Sequence, residues 1–212
     1  MNKKVLVLIA LSVLIAFIFA PIYTSGTENF QENAQEVDVE IEENVMSEKE
    51  QEMYDDMIRV AYIEDRKEWF IEYKALFDKY PEFLAEQENI YDSYTEQEIE
   101  KLQRVVEAEA TGGTFIDKVN VCVTIFNRIK DDRFGETIDE VITSDQFQPL
   151  SDGRWQKVEV TEDTILACEY AYLFGIIEHD ALFFDATNCN SWASRNLEEV
   201  EVDGDNAHRF YK

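Results

Sequence analysis

One carboxylate near the middle of the chain is placed where it could act as an acid catalyst. Helical spacings of three and four connect Glu109 to Ile99, Leu102, Val105 and Val106. These residues form an apolar stripe along one face of the predicted helix. Burial disfavours the charged form of a carboxyl group, which raises its pKa and lets it hold a proton near neutral pH. The sequence therefore predicts Glu109 as a general acid, whereas Glu107 points elsewhere. The alternative is that Glu109 lies at the edge of this stripe, reaches solvent and has no catalytic role.

The elements that must position Glu109 are marked by their own signals. Thr95-x-x-Glu98 is a capping box that begins the helix, and Gly112-Gly113 ends it. The next segment, residues 115–130, is apolar on nearly every side, so we expect a helix at the centre of a small domain. Asn127 and Arg128 near its end need polar partners, and a cleft is one place to find them.

A loop with strand-like edges is predicted over residues 144–155. It combines aromatic rings with amide, hydroxyl and carboxylate groups, the composition that suits a sugar-binding groove. The candidate substrate-binding residues are Gln146, Phe147, Ser151 and Asp152 from this loop, together with Trp192 and His208. A structural role, such as capping a loop or filling the core, is the alternative for each of them.

The first 26 residues have the pattern of a signal peptide or a single-pass membrane anchor. Lys3 and Lys4 precede an apolar run from Val5 to Tyr23. The positive-inside rule places these lysines in the cytoplasm and everything after Tyr23 outside it. The sequence therefore predicts an exported protein that is membrane-anchored or secreted, with residues 27–46 as an acidic spacer.

Residues 47–92 form a predicted helical linker region ahead of a domain at 93–212. Ser47-x-x-Glu50 is a capping box, and the helical pattern then continues to Tyr80, just before Pro81. This long amphipathic helix has an aromatic stripe that repeats at heptad spacing. It could pair with a second copy through residues 53–80 or lie across the domain that follows.

Charge and cysteine usage exclude several functions. Acidic residues outnumber basic ones 46 to 19, for a net charge of −27, so nucleic acid is not an expected partner. The three cysteines lie far apart and form no Cys-x-x-Cys pair. His179 and His208 lie outside any metal-binding motif, so no metal or cofactor is predicted. A zinc amidase would have to use both histidines with a carboxylate such as Asp185.

Five motifs follow one another over roughly residues 95–212. They are Val105-Val106-Glu107-Ala108-Glu109-Ala110-x-Gly112-Gly113, Phe126-Asn127-Arg128-Ile129-Lys130, Gln146-Phe147-x-Pro149-x-Ser151-Asp152-Gly153, Ala181-Leu182-Phe183-Phe184 and His208-x-Phe210-Tyr211. In order and spacing these motifs resemble those of the spore-cortex-lytic (SleB-type) cell-wall hydrolases. Five motifs in order are far more specific than any one of them.

The resemblance implies an α+β domain, mostly helical with a small sheet, similar to the lysozyme and lytic-transglycosylase folds. It also implies an enzyme that degrades peptidoglycan by cleaving the glycan strand between N-acetylmuramic acid and N-acetylglucosamine. The family's catalytic glutamate falls on Glu109. The chain departs from the family at Thr111, where the family often has Arg, and at Gly113, where it often has a second Glu. We therefore expect different polar surroundings for Glu109.

Two mechanisms of glycan cleavage, and one non-catalytic role, are compatible with these residues. A lytic transglycosylase captures the sugar cation with the substrate's own C6 hydroxyl, needs only one glutamate and is favoured by the resemblance. A hydrolytic muramidase or glucosaminidase needs a second carboxylate about 5 to 9.5 Å away, for which Asp145, Asp152 and Asp185 are candidates. The alternative from a different class is a membrane-anchored protein that binds glycan without cleaving it.

Overall fold

The computed structural model describes residues 47–81, 90–175 and 178–212. The chain divides after Gln87 into two compact units. The predicted anchor, the acidic spacer and part of the helical linker region lie outside the described residues. Within the described ranges, no helix combines the length and the apolar character needed to cross a membrane.

The first unit contains a pair of helices, α1 (Glu48–Ala61) and α2 (Arg66–Lys79). The capping box of Ser47 and Glu50 is present as predicted. The prediction of one long helix was wrong, because Asp65 accepts a hydrogen bond from the Glu68 N–H and begins a new helix.

The two helices run antiparallel. Arg59 pairs with Glu72 at 3.1 Å and Lys79 pairs with Asp56 at 2.7 Å. The buried face carries Met57, Val60, Trp69, Phe70, Tyr73 and Leu76. Self-association through residues 53–80 remains a prediction.

The second unit is built around three helices that follow the short helix α3 (Ile90–Ser93). They are α4 (Glu96–Glu109), α5 (Phe115–Ile129) and α8 (Glu162–Phe174). The capping box predicted at Thr95 begins α4, and a turn in which Gly112 has φ 72° separates α4 from α5. Twelve side chains of α5 are buried, so this helix is the centre of the unit as predicted.

Shorter elements complete the second unit. They are the helices α6 (Ile138–Val141), α7 (Gln148–Asp152) and α9 (Trp192–Asn196), and a 3₁₀ turn at Arg154–Gln156 that follows α7. The strand-like edges predicted for residues 144–155 were wrong. Residues 144–146 form a turn and residues 148–152 form α7, where Pro149 lies in the first turn and its missing N–H costs no hydrogen bond.

A small antiparallel sheet contributes to the same unit. Its strands β1 (Phe183–Ala186), β2 (Glu199–Val200) and β3 (His208–Tyr211) lie in the order β1-β3-β2. The register places His208 opposite Ala186 and Phe210 opposite Phe184. The second unit is therefore mostly helical with a small sheet, as predicted.

Candidate active site

Helix α4 carries two glutamates that lie in very different surroundings. Glu107 is only 5% exposed, and its carboxylate accepts hydrogen bonds from the backbone N–H of Thr161 (3.1 Å) and from the Thr161 hydroxyl (2.8 Å). Thr164 and Lys118 also donate to it. Burial acts to raise the pKa of Glu107, but these donors outweigh it and hold that pKa below the ordinary value.

These contacts make Glu107 a structural residue. Glu107 points away from Glu109, but the start of α8 covers the face of α4 that carries Glu107. Glu107 is therefore buried. Thr161 is the N-cap residue of α8, yet its hydroxyl binds Glu107 instead of capping the helix. The negative charge of Glu107 therefore lies at the N-terminus of α8, where the helix dipole favours an anion.

Glu109 is the last residue of α4 and is partly buried. Burial raises its pKa above the ordinary value, with a smaller contribution of the same sign from Asp152. The positive charges of Arg154 and Arg128, and that of His208 when its imidazole is protonated, act in the opposite direction. Across the described part of the chain, no group donates a hydrogen bond to this carboxyl. Glu109 is therefore disposed to hold a proton and free to give it to a ligand.

This balance predicts how the titration of Glu109 responds to its neighbours. In Arg154→Gln the pKa of Glu109 should rise further, because an opposing positive charge is lost. Arg133→Gln is the matched control, since Arg133 pairs with Asp131 and is not among the charges acting on Glu109. Carbon-13 NMR of the glutamate carboxyl groups measures both variants. An unchanged Glu109 titration in Arg154→Gln would contradict this assignment of its electrostatic neighbours.

Arg128 provides a positive charge that acts on Glu109. Its guanidinium lies 5.1 Å from the ring centre of Phe134, 5.2 Å from that of Phe147 and 5.5 Å from that of Phe183. Nε donates to the Leu182 carbonyl at 2.6 Å, while Nη1 is buried and has no partner among the residues described. Burial lowers the pKa of Arg128 to about 10, which still leaves it charged at neutral pH.

Asp117 and His208 contact each other near Glu109. Asp117 is fully buried near the start of α5, and its two oxygens lie 3.0 and 3.2 Å from His208 Nδ1 on β3. The backbone N–H of Ala207 donates to the same carboxylate at 3.2 Å. The imidazole of His208 is therefore held at a fixed position at the start of β3, the central strand of the sheet.

The departures from the family pattern have local explanations. A Cβ atom on residue 113 would lie 2.6 Å from Asp117 Oδ2, so Asp117 occupies the space that a side chain on Gly113 would need. A carboxylate is thus still present there, but it comes from α5. The Thr111 hydroxyl donates to the Glu107 carbonyl at 2.7 Å and satisfies one of the last carbonyls of α4.

The predicted substrate-binding residues fall into three groups. Asp152 and His208 are among the titratable groups that interact electrostatically with Glu109. Trp192 is 58% exposed and packs edge-on against Phe183, so its ring can receive a sugar face. Gln146 and Ser151 are exposed, whereas Phe147 is only 1% exposed and packs against Arg128 and Phe184.

Asp152 stands out among the three candidates for a second carboxylate. It accepts hydrogen bonds from the backbone and Nε of Arg154, and these hold its pKa below the ordinary value. Asp185 is committed to Ser191, to Arg209 at 3.4 Å and to Tyr211 at 3.1 Å. Asp145 is exposed, and neither it nor Asp185 is among the principal charges acting on Glu109.

The two histidines do not form a metal site together. His179 Nε2 contacts the Asn120 carbonyl at 3.2 Å, and its Nδ1 accepts from the Ala181 N–H at 3.2 Å. Burial lowers the pKa of His179 to about 4. Across the described ranges, no group of three His, Cys, Asp or Glu residues is arranged to hold a metal ion. Both ring nitrogens of His179 are therefore already used by the backbone.

Comparison with known families defines the class of this domain. Residues 112–211 match the family model described as cell wall hydrolase. The match confirms the resemblance indicated by the motifs and identifies the carboxy-terminal domain as that of an enzyme acting on the cell wall. It begins three residues after Glu109, so it leaves the catalytic assignment of Glu109 as a prediction.

Two solved structures are similar to this domain. One is the catalytic domain of the germination-specific lytic transglycosylase SleB from Bacillus anthracis, with 20% identity, 56% of this chain and 97% of that chain covered, and a TM-score of 0.49. The other is the catalytic domain of the Bacillus cereus SleB protein, with 19% identity, 61% and 100% coverage, and a TM-score of 0.49. Comparison with curated proteins gave no match.

Proposed function

We propose that the carboxy-terminal domain cleaves peptidoglycan glycan strands between N-acetylmuramic acid and N-acetylglucosamine as a lytic transglycosylase, with Glu109 as the acid. The observation that supports this most is the state of Glu109, whose pKa is raised by burial and whose carboxyl group has no hydrogen-bond donor in the described structure. Glycosidic cleavage requires such a protonated carboxyl beside the leaving oxygen.

The proposed reaction needs one carboxyl group. Glu109 donates its proton to the glycosidic oxygen, and the bond from that oxygen to C1 of the muramic residue breaks. The C6 hydroxyl of the same residue attacks C1, and the product ends in an anhydromuramic unit. In the one-carboxylate scheme the hydroxyl proton returns to Glu109. Arg128 and Arg154 stabilise the Glu109 carboxylate that exists between these two steps.

The glycan strand is the proposed partner, and Trp192 is the proposed stacking platform for one of its sugars. Its exposed ring rests on Phe183, which in turn packs against Arg128. An N-terminal anchor or signal would place the domain outside the cytoplasmic membrane, where this polymer lies. Export and membrane attachment are part of the proposal.

A hydrolytic glycosidase is the second candidate, and Asp152 is the observation that favours it. Asp152 is an ionised neighbour of Glu109, as a water-activating base or a nucleophile must be. Its pairing with Arg154 stands against this role, because the carboxylate would have to leave that ion pair to reach a water or a sugar.

Digestion of purified peptidoglycan by the detergent-solubilised 212-residue chain tests the proposal. Transglycosylation gives muropeptides that end in anhydromuramic acid and are one water lighter than the reducing ends of hydrolysis, which mass spectrometry separates. Reducing ends would replace the proposal with the hydrolytic alternative. Free stem peptides would indicate an amidase, and binding to peptidoglycan without cleavage would indicate a non-catalytic binder.

A further inference from the structure

We propose that His208, oriented by Asp117, is a second catalytic residue, whose Nε2 takes the proton from the hydroxyl that attacks C1. This inference rests on the proposed cleavage of glycan strands. It divides the acid and base roles that a one-carboxylate scheme gives to Glu109 alone. Glu109 then only has to deliver a proton to the leaving oxygen.

The tautomer of His208 follows from the surroundings of Asp117. The Asp117 side chain is fully buried, and a buried carboxylate needs hydrogen-bond donors to offset its loss of water. Its donors are the Ala207 N–H at 3.2 Å and His208 Nδ1 at 3.0 Å. Nδ1 must therefore carry a hydrogen, which leaves the lone pair of a neutral imidazole on Nε2.

The ring of His208 cannot easily turn away from this arrangement. It meets Phe184 edge-on, with ring centres 5.3 Å apart and planes at 85°, and it also packs against Phe210 at 6.4 Å. The side chain is 9% exposed. Nε2 has no hydrogen-bond partner in the part of the chain that the structure describes, and it is not among the fully buried unsatisfied atoms there. This nitrogen is therefore available to a ligand.

The position of His208 relative to Glu109 is set by the turn between α4 and α5. A Cβ atom on Gly113 would lie 3.1 Å from the Ala110 carbonyl oxygen and 2.6 Å from Asp117 Oδ2, so the turn that leaves Glu109 runs directly over the Asp117 carboxylate. The Asp117–His208 pair therefore lies next to the turn that directly follows Glu109.

The proton balance of the proposed step is complete. Glu109 gives its proton to the leaving oxygen, the C1–oxygen bond breaks, and the new bond from the C6 oxygen to C1 forms as the hydroxyl proton moves to His208 Nε2. The enzyme is left with a Glu109 carboxylate beside a His208 imidazolium, and proton exchange through solvent restores the starting state. Asp117 stabilises the imidazolium and does not itself touch substrate, so it is a positioning residue.

The first test compares cleavage of purified peptidoglycan by the 212-residue chain and three variants. His208→Gln should lower the cleavage rate about 10²-fold, the usual contribution of a general base, with unchanged co-sedimentation with peptidoglycan. His208→Ala should regain activity when imidazole is added, which a purely structural role would not allow. His179→Gln is the control that imidazole should not affect.

The outcomes separate this inference from the proposed function. Wild-type activity in His208→Gln together with an inactive Glu109→Gln would overturn the role of His208 and leave glycan cleavage standing. Absence of cleavage by the wild type would overturn both.

Nitrogen-15 NMR of the wild type provides a measurement that does not depend on a folded variant. The sequence contains two histidines, and His179→Gln assigns the spectrum. We expect His208 to show a protonated Nδ1 and an unprotonated Nε2 in the neutral ring. In Asp117→Asn this preference should weaken, with a parallel loss of cleavage. A neutral ring protonated on Nε2 in the wild type would overturn the proposal.

Discussion

Glu109→Gln is expected to lower the rate of glycan cleavage by about 10³-fold, because glutamine keeps the size of the side chain but cannot donate an acidic proton. Dye release from labelled peptidoglycan measures this rate. Glu159→Gln is a matched control, since Glu159 is exposed and lies outside the site. Equal rates for wild type and Glu109→Gln would contradict the assignment of Glu109 as the acid.

The same variant should be more stable than the wild type at neutral pH. Because the folded-state pKa of Glu109 is raised, the folded protein binds more protons than the unfolded chain in the window above the ordinary value, and stability falls there as pH rises. Glutamine removes this cost. Thermal unfolding at neutral pH and at a pH below the ordinary carboxyl pKa should show a difference only at neutral pH. A loss of activity with a loss of stability would instead point to misfolding.

Glu107→Gln should lower stability, in contrast to Glu109→Gln, with an expected loss of about 3 kcal/mol in the free energy of unfolding. The substitution leaves the buried Lys118 without its anionic partner and weakens the hydrogen bonds from Thr161 and Thr164. The contribution of Glu107 is present at neutral pH and is lost as pH falls through its lowered folded-state pKa. Chemical denaturation of the variant measures the loss.

A double variant tests the mechanism of this loss. Lys118→Met removes the stranded cation, so Glu107→Gln combined with Lys118→Met should recover part of the stability that Glu107→Gln alone loses. Additive losses in the two single variants would show that the charge pair is not the cause. Glu159→Gln again serves as the surface control and should leave the unfolding curve unchanged.

Local signals in the sequence were sufficient to predict the framework of the domain. The capping box at Thr95 and the break at Gly112 define both ends of α4, and both are present in the structure. The uniformly apolar pattern of residues 115–130 correctly indicated a central helix. These features depend on residues within a few positions of one another, which is why the sequence alone reveals them.

Features that depend on competing local signals were predicted less well. The helical pattern from Ser47 to Tyr80 hid the second N-cap at Asp65, because the apolar stripe continues across the break. Residues 144–155 were predicted as a loop with strand-like edges. Pro149 and the left-handed Gly153 instead allow a short helix and a 3₁₀ turn.

The surroundings of Glu109 could be predicted only in part. The stripe indicated Glu109 itself, but Asp117, Arg128 and Arg154 were not among the predicted site residues, because they reach the site only through tertiary packing. Asp117 did leave a signal, as a carboxylate within an otherwise apolar helix that needs a buried partner. The sequence could not show that this partner is His208, which lies 91 positions further along the chain.

The most direct test of the central claim is peptidoglycan digestion in heavy-oxygen water by the wild type and by Glu109→Gln, with the products analysed by mass spectrometry. We predict that the wild type releases anhydromuramic ends that carry no solvent oxygen and that Glu109→Gln releases none. Anhydromuramic ends from Glu109→Gln at the wild-type rate would contradict the role of Glu109. Solvent oxygen in new sugar ends or in released peptides would contradict transglycosylation.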